Sequence, residues 1–369
     1  MSFQLKTYQA PDFTLPRFTE APEAKLEPAP FDRVAPDGYH ATTIFPEYFK
    51  VGGRWLLAEE SRMDCVAVYE NGKICVREFR NLKQGDMVFT GRTENAEDGI
   101  YVYPDGFSEF SGNAADGKDG QESFAFRQSR SRETAFSRDY DNIYELLEYE
   151  KEHGYVAWVL GPACAFDADS RAAFSKLVMN GYVDALLAGN ALATHDLEGA
   201  YLKTALGQDI YTQHSYQGGH YNHIDTINKV KYHGSIPAFI EKEGIDNGII
   251  YSCVKKEVPF VLVGSIRDDG PLPEVHANVY EGQDAMRKCI SQATTVICMA
   301  TTLHSVATGN MTPSFRVMSD GTIRQVYFYT VDISEFAVNK LGDRGSLSAK
   351  GIVTNVQDFV VNVSKGLKL

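Results

Sequence analysis

From residue 139 onward the chain alternates short apolar runs with longer segments of helical periodicity. The runs 156–160, 183–187, 259–264, 294–300, 325–331 and 351–354 have the length and apolar continuity of buried strands. Between them the pattern predicts helices. One is carried by Ile143, Leu146 and Leu147 and ended by Gly154; another starts near Asp169 and ends at Gly181. Others fall at 221–232, 235–256, 275–290 and 334–341. Six apolar strands alternating with helices predict an α/β fold with a parallel, doubly wound sheet over 139–369.

Upstream the period shortens. Runs at 54–57, 65–69, 74–77 and 87–89 are β-rich, and Asn71-Gly72 between two of them is a hairpin signal. A smaller N-terminal β-rich domain is predicted over 38–103. Residues 1–37 are rich in proline and acidic side chains and predict an extended arm over the surface or a partner subunit, not a packed element. Residues 104–138 show little periodicity and predict a linker or mobile insertion, with Arg127, Arg130 and Arg132 available to an anion.

The net charge of −13 argues against a nucleic-acid partner, which requires a basic face. Six scattered cysteines without a C-x-x-C pair suggest buried free thiols. No secretory signal opens the chain, and no apolar run of about 18 residues would cross a membrane. A cytoplasmic homo-oligomer with no membrane partner is the expectation.

The chemistry gathers where predicted strands end. In an open parallel sheet the crevice beyond the strands' carboxyl ends is the ligand site. The stretch GYVDALLAGNALATHDLEGA runs from strand through Ala188-Gly189-Asn190 into a helix carrying Thr194, His195, Asp196 and Glu198. Three other loops follow strands: Ser265 to Pro271 with Arg267-Asp268-Asp269, Thr301-Thr302-Leu303-His304 running into Gly309-Asn310-Met311-Thr312-Pro313-Ser314, and Asp332-Ile333. The adjacent carboxylates would suit a ribose, an ammonium and general-base work, or else form a solvated turn. Asp332 stands where dinucleotide enzymes keep their ribose-binding acid, or else is a helix N-cap. The Gly-Asn-Met-Thr-Pro-Ser segment offers N–H and hydroxyl groups of the kind that hold phosphates. No G-x-G-x-x-G, G-x-S-x-G, H-E-x-x-H or Walker sequence occurs. His214, His220 and His223 match no strong zinc spacing, so no metal is expected and these histidines are read as substrate-facing or helix-entry residues.

The runs GYVDALLAGNALATHDLEGA, GGHYNHIDTIN, GSIRDDGPLP, LHSVATGNMTPS and DRGS…KGIVTNV, in this order, resemble the archaeal-type NAD-dependent ornithine cyclodeaminases. The same module forms the C-terminal part of bifunctional cyanobacterial arginine dihydrolase/ornithine cyclodeaminases and is known as a lysine-oxoglutarate reductase/saccharopine dehydrogenase conserved region. The resemblance is dense over 140–360 and extends into ATTIFPEYFKVGGRW, ESRMD and LKQGDMVFTG. It implies a Rossmann-like NAD-binding domain and redox-neutral conversion of L-ornithine, or a close diamino acid, to L-proline plus ammonia. Asn190, Ala191, Asp268 or Asp269, Thr301, Thr302, Leu303, His304, Asn310 and Asp332 would contact NAD. Asp268 and Asp269 are the first choices for the base, with His304 as alternative proton shuttle. Arg62 or Arg267 would hold the substrate carboxylate, and His195 would face the substrate. Net oxidoreduction of an amino acid or imine, and non-catalytic NAD sensing, are the competing functions.

Overall fold

The computed structural model describes residues 5–107, 137–268, 270–342 and 347–369. Its N-terminal part comprises a helical turn α1 (Pro16–Thr19) and strands β1 (Lys25–Pro28), β2 (Glu47–Val51), β3 (Arg54–Leu57), β4 (Val66–Glu70), β5 (Lys73–Arg77), β6 (Met87–Thr90) and β7 (Ile100–Val102). These build two antiparallel sheets, in order β1-β6-β4-β5 and β3-β2-β7. Asn71 and Gly72 both take positive φ, 51° and 81°, and so turn the β4–β5 hairpin with the twist its strands need.

The expectation of an unpacked arm at 1–37 is corrected. β1 pairs with β6, and Phe18 is fully buried against Trp55 and Tyr101. The Lys50 ammonium donates to the carbonyls of Phe18, Thr19 and Ala21 at 3.1, 3.0 and 2.6 Å. Proline does not forbid this packing. Pro16 opens a helical turn, where no N–H is needed, and Pro28 ends an edge strand. Of the predicted 104–138 linker, residues 108–136 lie outside the described residues.

The C-terminal part opens with α2 (Ser137–His153), β8 (Val156–Leu160) and α3 (Ala168–Met179), then β9 (Ala185–Gly189) and α4 (Asn190–Leu202). A ribbon β10 (Thr204–Ala205) and β11 (Gln208–Asp209) follows, with α5 (Asn222–His233), α6 (Ile236–Lys242) and α7 (Ile249–Lys256). After β12 (Phe260–Val263) come β13 (Val275–His276), α8 (Val279–Ile290), β14 (Thr295–Met299) and α9 (Thr302–Met311). The chain ends with the ribbon β15 (Phe315–Val317) and β16 (Ile323–Gln325), β17 (Tyr327–Asp332), α10 (Glu335–Gly342), β18 (Ala349–Val353) and α11 (Val356–Gly366). Seven parallel strands lie in the order β13-β12-β9-β8-β14-β17-β18, a doubly wound Rossmann sheet.

Three local departures from the sequence pattern have clear causes. β9 begins two residues late because Asp184 turns back to accept the Val156 N–H at 2.7 Å. The predicted 275–290 helix gives up its start to the edge strand β13 and begins at Val279, capped by the Asn278 side chain. The 235–256 helix is two helices, α6 and α7. Gly248 at φ 116° separates them, with a conformation and surroundings that admit no side chain.

The two parts are joined by chemistry as well as chain. Ser314 donates its N–H to Ser61 O at 3.0 Å and its hydroxyl to Ile44 O. Arg80 pairs with Asp284 at 2.6 Å and Arg287 with Glu78 at 2.7 Å. Phe107, Phe315 and Leu347 bury a small apolar core between them. Among the described residues no helix is long and apolar enough to cross a membrane.

Candidate functional site

β8 lies between β9 and β14, and the chain leaves it first toward β9 and later returns to β14. That reversal opens a crevice at the strands' carboxyl ends. Gly161, just after β8, packs so tightly there that a Cβ would sit 1.8 Å from Ala300 O. The helix that follows is closed to anions. Asp167 accepts the Asp169 and Ser170 N–H groups at 2.9 and 3.0 Å, and Ala168 N–H donates to Ile210 O at 3.0 Å. A carboxylate already occupies the α3 N-terminus, which accounts physically for the missing glycine fingerprint at this joint.

The next joints are open. Among the described residues α4, led by Gly189, and α9, led by Thr301, receive no side-chain cap. Both helices start at the carboxyl end of a sheet strand, so their first N–H groups and positive dipole ends face the crevice. His304, in the first turn of α9, packs over the end of β9, where a Cβ on Gly189 would lie 3.0 Å from its ring. Burial pushes the His304 imidazole below its ordinary 6.5, against the opposing pull of Asp268. Near neutral pH the neutral form of the ring is therefore favoured.

Beside this rim is a cavity of about 430 Å³. One wall is α4, with Asn190, Ala191, Thr194 and His195; the opposite wall is α5, with His223, Ile227 and Lys231; Arg267 and Asp268 close it from the loop after β12. Asn190 Oδ1 accepts the Leu272 N–H at 3.0 Å, and Asp268 Oδ2 accepts the Ser265 N–H at 2.8 Å. Each of these side chains thus shapes the loop after β12 as well as lining the cavity. α4 is itself locked in place: Asp196 binds Arg171 at 2.9 Å and caps α7 through the N–H groups of Ile249 and Ile250.

Residues 142–363 match the family described as arginine dihydrolase ArgZ-like, C-terminal, Rossmann fold. The ornithine cyclodeaminase of Methanothermobacter thermautotrophicus is 39% identical over 343 residues, covering 92% of this chain and 78% of that protein. The chain belongs to the archaeal ornithine cyclodeaminase family. A LOR/SDH protein from Methanococcus maripaludis superposes with a TM-score of 0.82 at 36% identity, over 94% of this chain and 98% of that one. AgrE, in its ternary complex with ornithine and NAD⁺, superposes with a TM-score of 0.58 at 32% identity, over 96% of this chain and 47% of AgrE.

The residues implied by the family resemblance fall into three groups. Asn190, Ala191, Thr301, Thr302, Leu303 and His304 stand at the two uncapped helix N-termini, and Asp332 ends β17. Asp332 also accepts the Ser334 N–H at 2.8 Å, which orders the turn before α10; the cap of that helix is Ser334, whose hydroxyl accepts the Ala337 N–H at 3.4 Å. His195, Arg267 and Asp268 line the cavity, and Asp269 lies outside the described residues.

Two expectations need correction. Asn310 is not in a phosphate-cradling loop but in the last turn of α9, about 12 Å along the axis from Thr302. The neighbouring hydroxyls are spent, Thr312 on Thr308 O and Ser314 on Ile44 O. Arg62 does not line the cavity: it is 5% exposed and its guanidinium is taken by Glu60, Glu78 and Val76 O. Burial forced it to find carboxylate partners within its own domain.

Of the three histidines, His214 and His220 are exposed and only His223 reaches the cavity. Among the described residues no group of three His, Cys, Asp or Glu side chains could hold a metal ion. Lys231 was not singled out from sequence. The helical phase of 221–232 put Lys231 two turns from His223, the one signal that pointed to it.

Proposed function

We propose that the protein converts L-ornithine, or a close diamino acid, to L-proline, or the matching cyclic imino acid, plus ammonia by an internal NAD-dependent hydride transfer. The observation that carries this is the cavity's position, opening beside two uncapped helix N-termini in a chain of the ornithine cyclodeaminase family. The N–H groups at the starts of α4 and α9 suit a dinucleotide pyrophosphate, and the remaining oxygen of Asp332 suits a ribose. Bound there, NAD would accept the hydride from Cα and later return it to the cyclic imine. Two open helix ends and a strand-end acid are what that cofactor requires, so the residues fit it.

The chain's own groups supply the rest. Arg267, with Lys231 on the facing helix, provides the positive charge for the substrate carboxylate. Asp268, Asp269 (its neighbour in sequence) and neutral His304 are the proton acceptors for the ammonium groups, which must be deprotonated before either nitrogen reacts. The walls of α4 and α5 limit water, which would otherwise hydrolyse an imine.

The test is turnover of ornithine with trace NAD⁺. Proline and ammonia should form in large excess over cofactor. Stoichiometric consumption of NAD⁺ would instead identify net oxidoreduction, and tight NAD binding without turnover would identify a sensor.

A further inference from the structure

A diamino acid carries two ammonium groups, and each must lose a proton before it reacts. The loop after β12 offers the Asp268 carboxylate to the cavity. On α4, across from that loop, stands an imidazole whose orientation is set by a buried acid. His195, 7% exposed, places its Nδ1 2.9 Å from Glu198 Oε2, and Glu198 is fully buried.

Glu198 is surrounded by donors. Its Oε1 accepts the Thr204 hydroxyl at 2.7 Å and the Gly207 N–H at 3.2 Å; its Oε2, which faces His195 Nδ1, accepts the Leu206 N–H at 3.3 Å. Leu206 and Gly207 form the turn of the β10–β11 ribbon, both with positive φ, so that the turn's N–H groups point back at α4. Gly207 cannot be replaced without a clash, because a Cβ would lie 2.7 Å from Gly219 C. With three donors besides His195 already aimed at it, this carboxylate is held as an acceptor. The hydrogen between Glu198 and His195 therefore belongs to Nδ1, which leaves Nε2 as the imidazole's bare lone pair. Across the cavity wall the ring of His223 lies 6.1 Å away, and its buried Nδ1 has no hydrogen-bond partner. An unpaired polar atom beside an oriented imidazole marks a place where a polar ligand group is expected.

Resting on the function proposed above, we infer that His195 Nε2 is the second proton acceptor of the cavity and that Glu198 is the positioning residue that fixes its tautomer. In the step assigned to it, one N–H bond of a substrate ammonium breaks, its electron pair stays on the amine nitrogen, and the proton joins His195 Nε2. The resulting imidazolium is held by the Glu198 carboxylate, and the same proton is available later to the departing ammonia. No other bond changes in this step.

Two measurements test it. Two-bond ¹H–¹⁵N correlation spectra of histidine-labelled protein, with His195 assigned by its loss in His195→Gln, should show the proton on Nδ1 in the parent. Steady-state kinetics should show His195→Gln lowering kcat about a hundredfold, the scale of a lost acid–base group. Glu198→Gln should lower kcat at least about tenfold, as loss of an orienting partner does. Its KM and NAD affinity should stay near parental, and it should add nothing further in the His195→Gln background. An Nε2-protonated tautomer in the parent, or parental turnover by His195→Gln, would overturn the inference. Should Glu198→Gln fail to fold, the parent's tautomer and the His195→Gln rate still decide. If the parent makes no proline from ornithine, the proposed function has failed, and the tautomer spectrum still tests the role of Glu198 by itself.

Discussion

Asn190 Oδ1 and the main-chain N–H of Leu272 are 3.0 Å apart, which ties the first residue of α4 to the far end of the loop after β12. One amide thus holds together two walls of the cavity. Asn190→Ala leaves the buried Leu272 N–H without an acceptor and should cost about 1–3 kcal/mol in a denaturant melt. NAD affinity should fall with it, since the loop carrying Asp268 loses its tether. Parental stability would mean that Leu272 finds another acceptor and that Asn190 acts on ligand alone.

Asp332 has one oxygen on the Ser334 N–H, and its two roles can be separated by substitution. Asp332→Asn keeps an acceptor for the Ser334 N–H but loses the charge. It should melt like the parent and bind NAD more weakly by ~1–3 kcal/mol, the scale of a hydrogen bond to a charged group. Asp332→Ala should lose stability as well, by about 1 kcal/mol, the scale of the lost hydrogen bond to the Ser334 N–H. Equal NAD affinity in all three proteins would reduce Asp332 to ordering the turn before α10.

Arg62 should matter to folding and not to substrate. Arg62→Leu removes the cation from Glu60 and one of two cations from Glu78, which keeps Arg287; the two carboxylates are 25% and 21% exposed. The cost should be about 2–3 kcal/mol, less than for a fully buried pair because water still reaches both carboxylates. KM for ornithine should be unchanged in the folded variant. A KM raised tenfold at parental stability would place Arg62 on the substrate after all.

His304 should leave a mark on stability as pH falls. Its folded imidazole protonates below the ordinary 6.5, because burial disfavours the charged form more than Asp268 favours it. Below about pH 6.5 the unfolded chain takes up a proton that the folded chain refuses, so stability drops until the folded ring also protonates. Comparing urea midpoints at about pH 7.5 and about pH 5.5, His304→Gln should lose less than the parent. An equal loss would assign the effect to other groups.

Asp268 and Asp269 should divide the work. One Asp→Asn change should raise the NAD dissociation constant with modest loss of turnover; the other should leave NAD binding intact and slow turnover about a hundredfold. Single turnover with deuterium at Cα would show whether hydride transfer is the slowed step. Parental rates in both variants would make this loop a surface turn and move the base to His304 or His195.

Much of this architecture follows from short-range patterns. Runs such as 156–160 and 296–300 are apolar at every position because both faces of a parallel sheet are covered, and a one-residue error there would expose nothing. Asn71-Gly72 dictates its own hairpin through backbone sterics alone. The rim was legible for the same reason, since parallel strands must all end on one side. Long-range choices were not. Whether a helix N-terminus is open depends on neighbours: α3 is closed by Asp167 and by Ile210 O, the latter from the segment just after the β10–β11 ribbon, while α4 and α9 stay bare. Arg62 and Arg267 look equally suited to a carboxylate in sequence, but only packing decides that Glu60 and Glu78 neutralise the first and that the second faces the cavity. His195 and His223 meet only because a ribbon turns the chain back on itself between them. Periodicity and turn chemistry are decided within a few residues. The partners of a charge are decided by whichever distant segments the buried core brings beside it, so the residue type alone could not say which charges were left for a ligand.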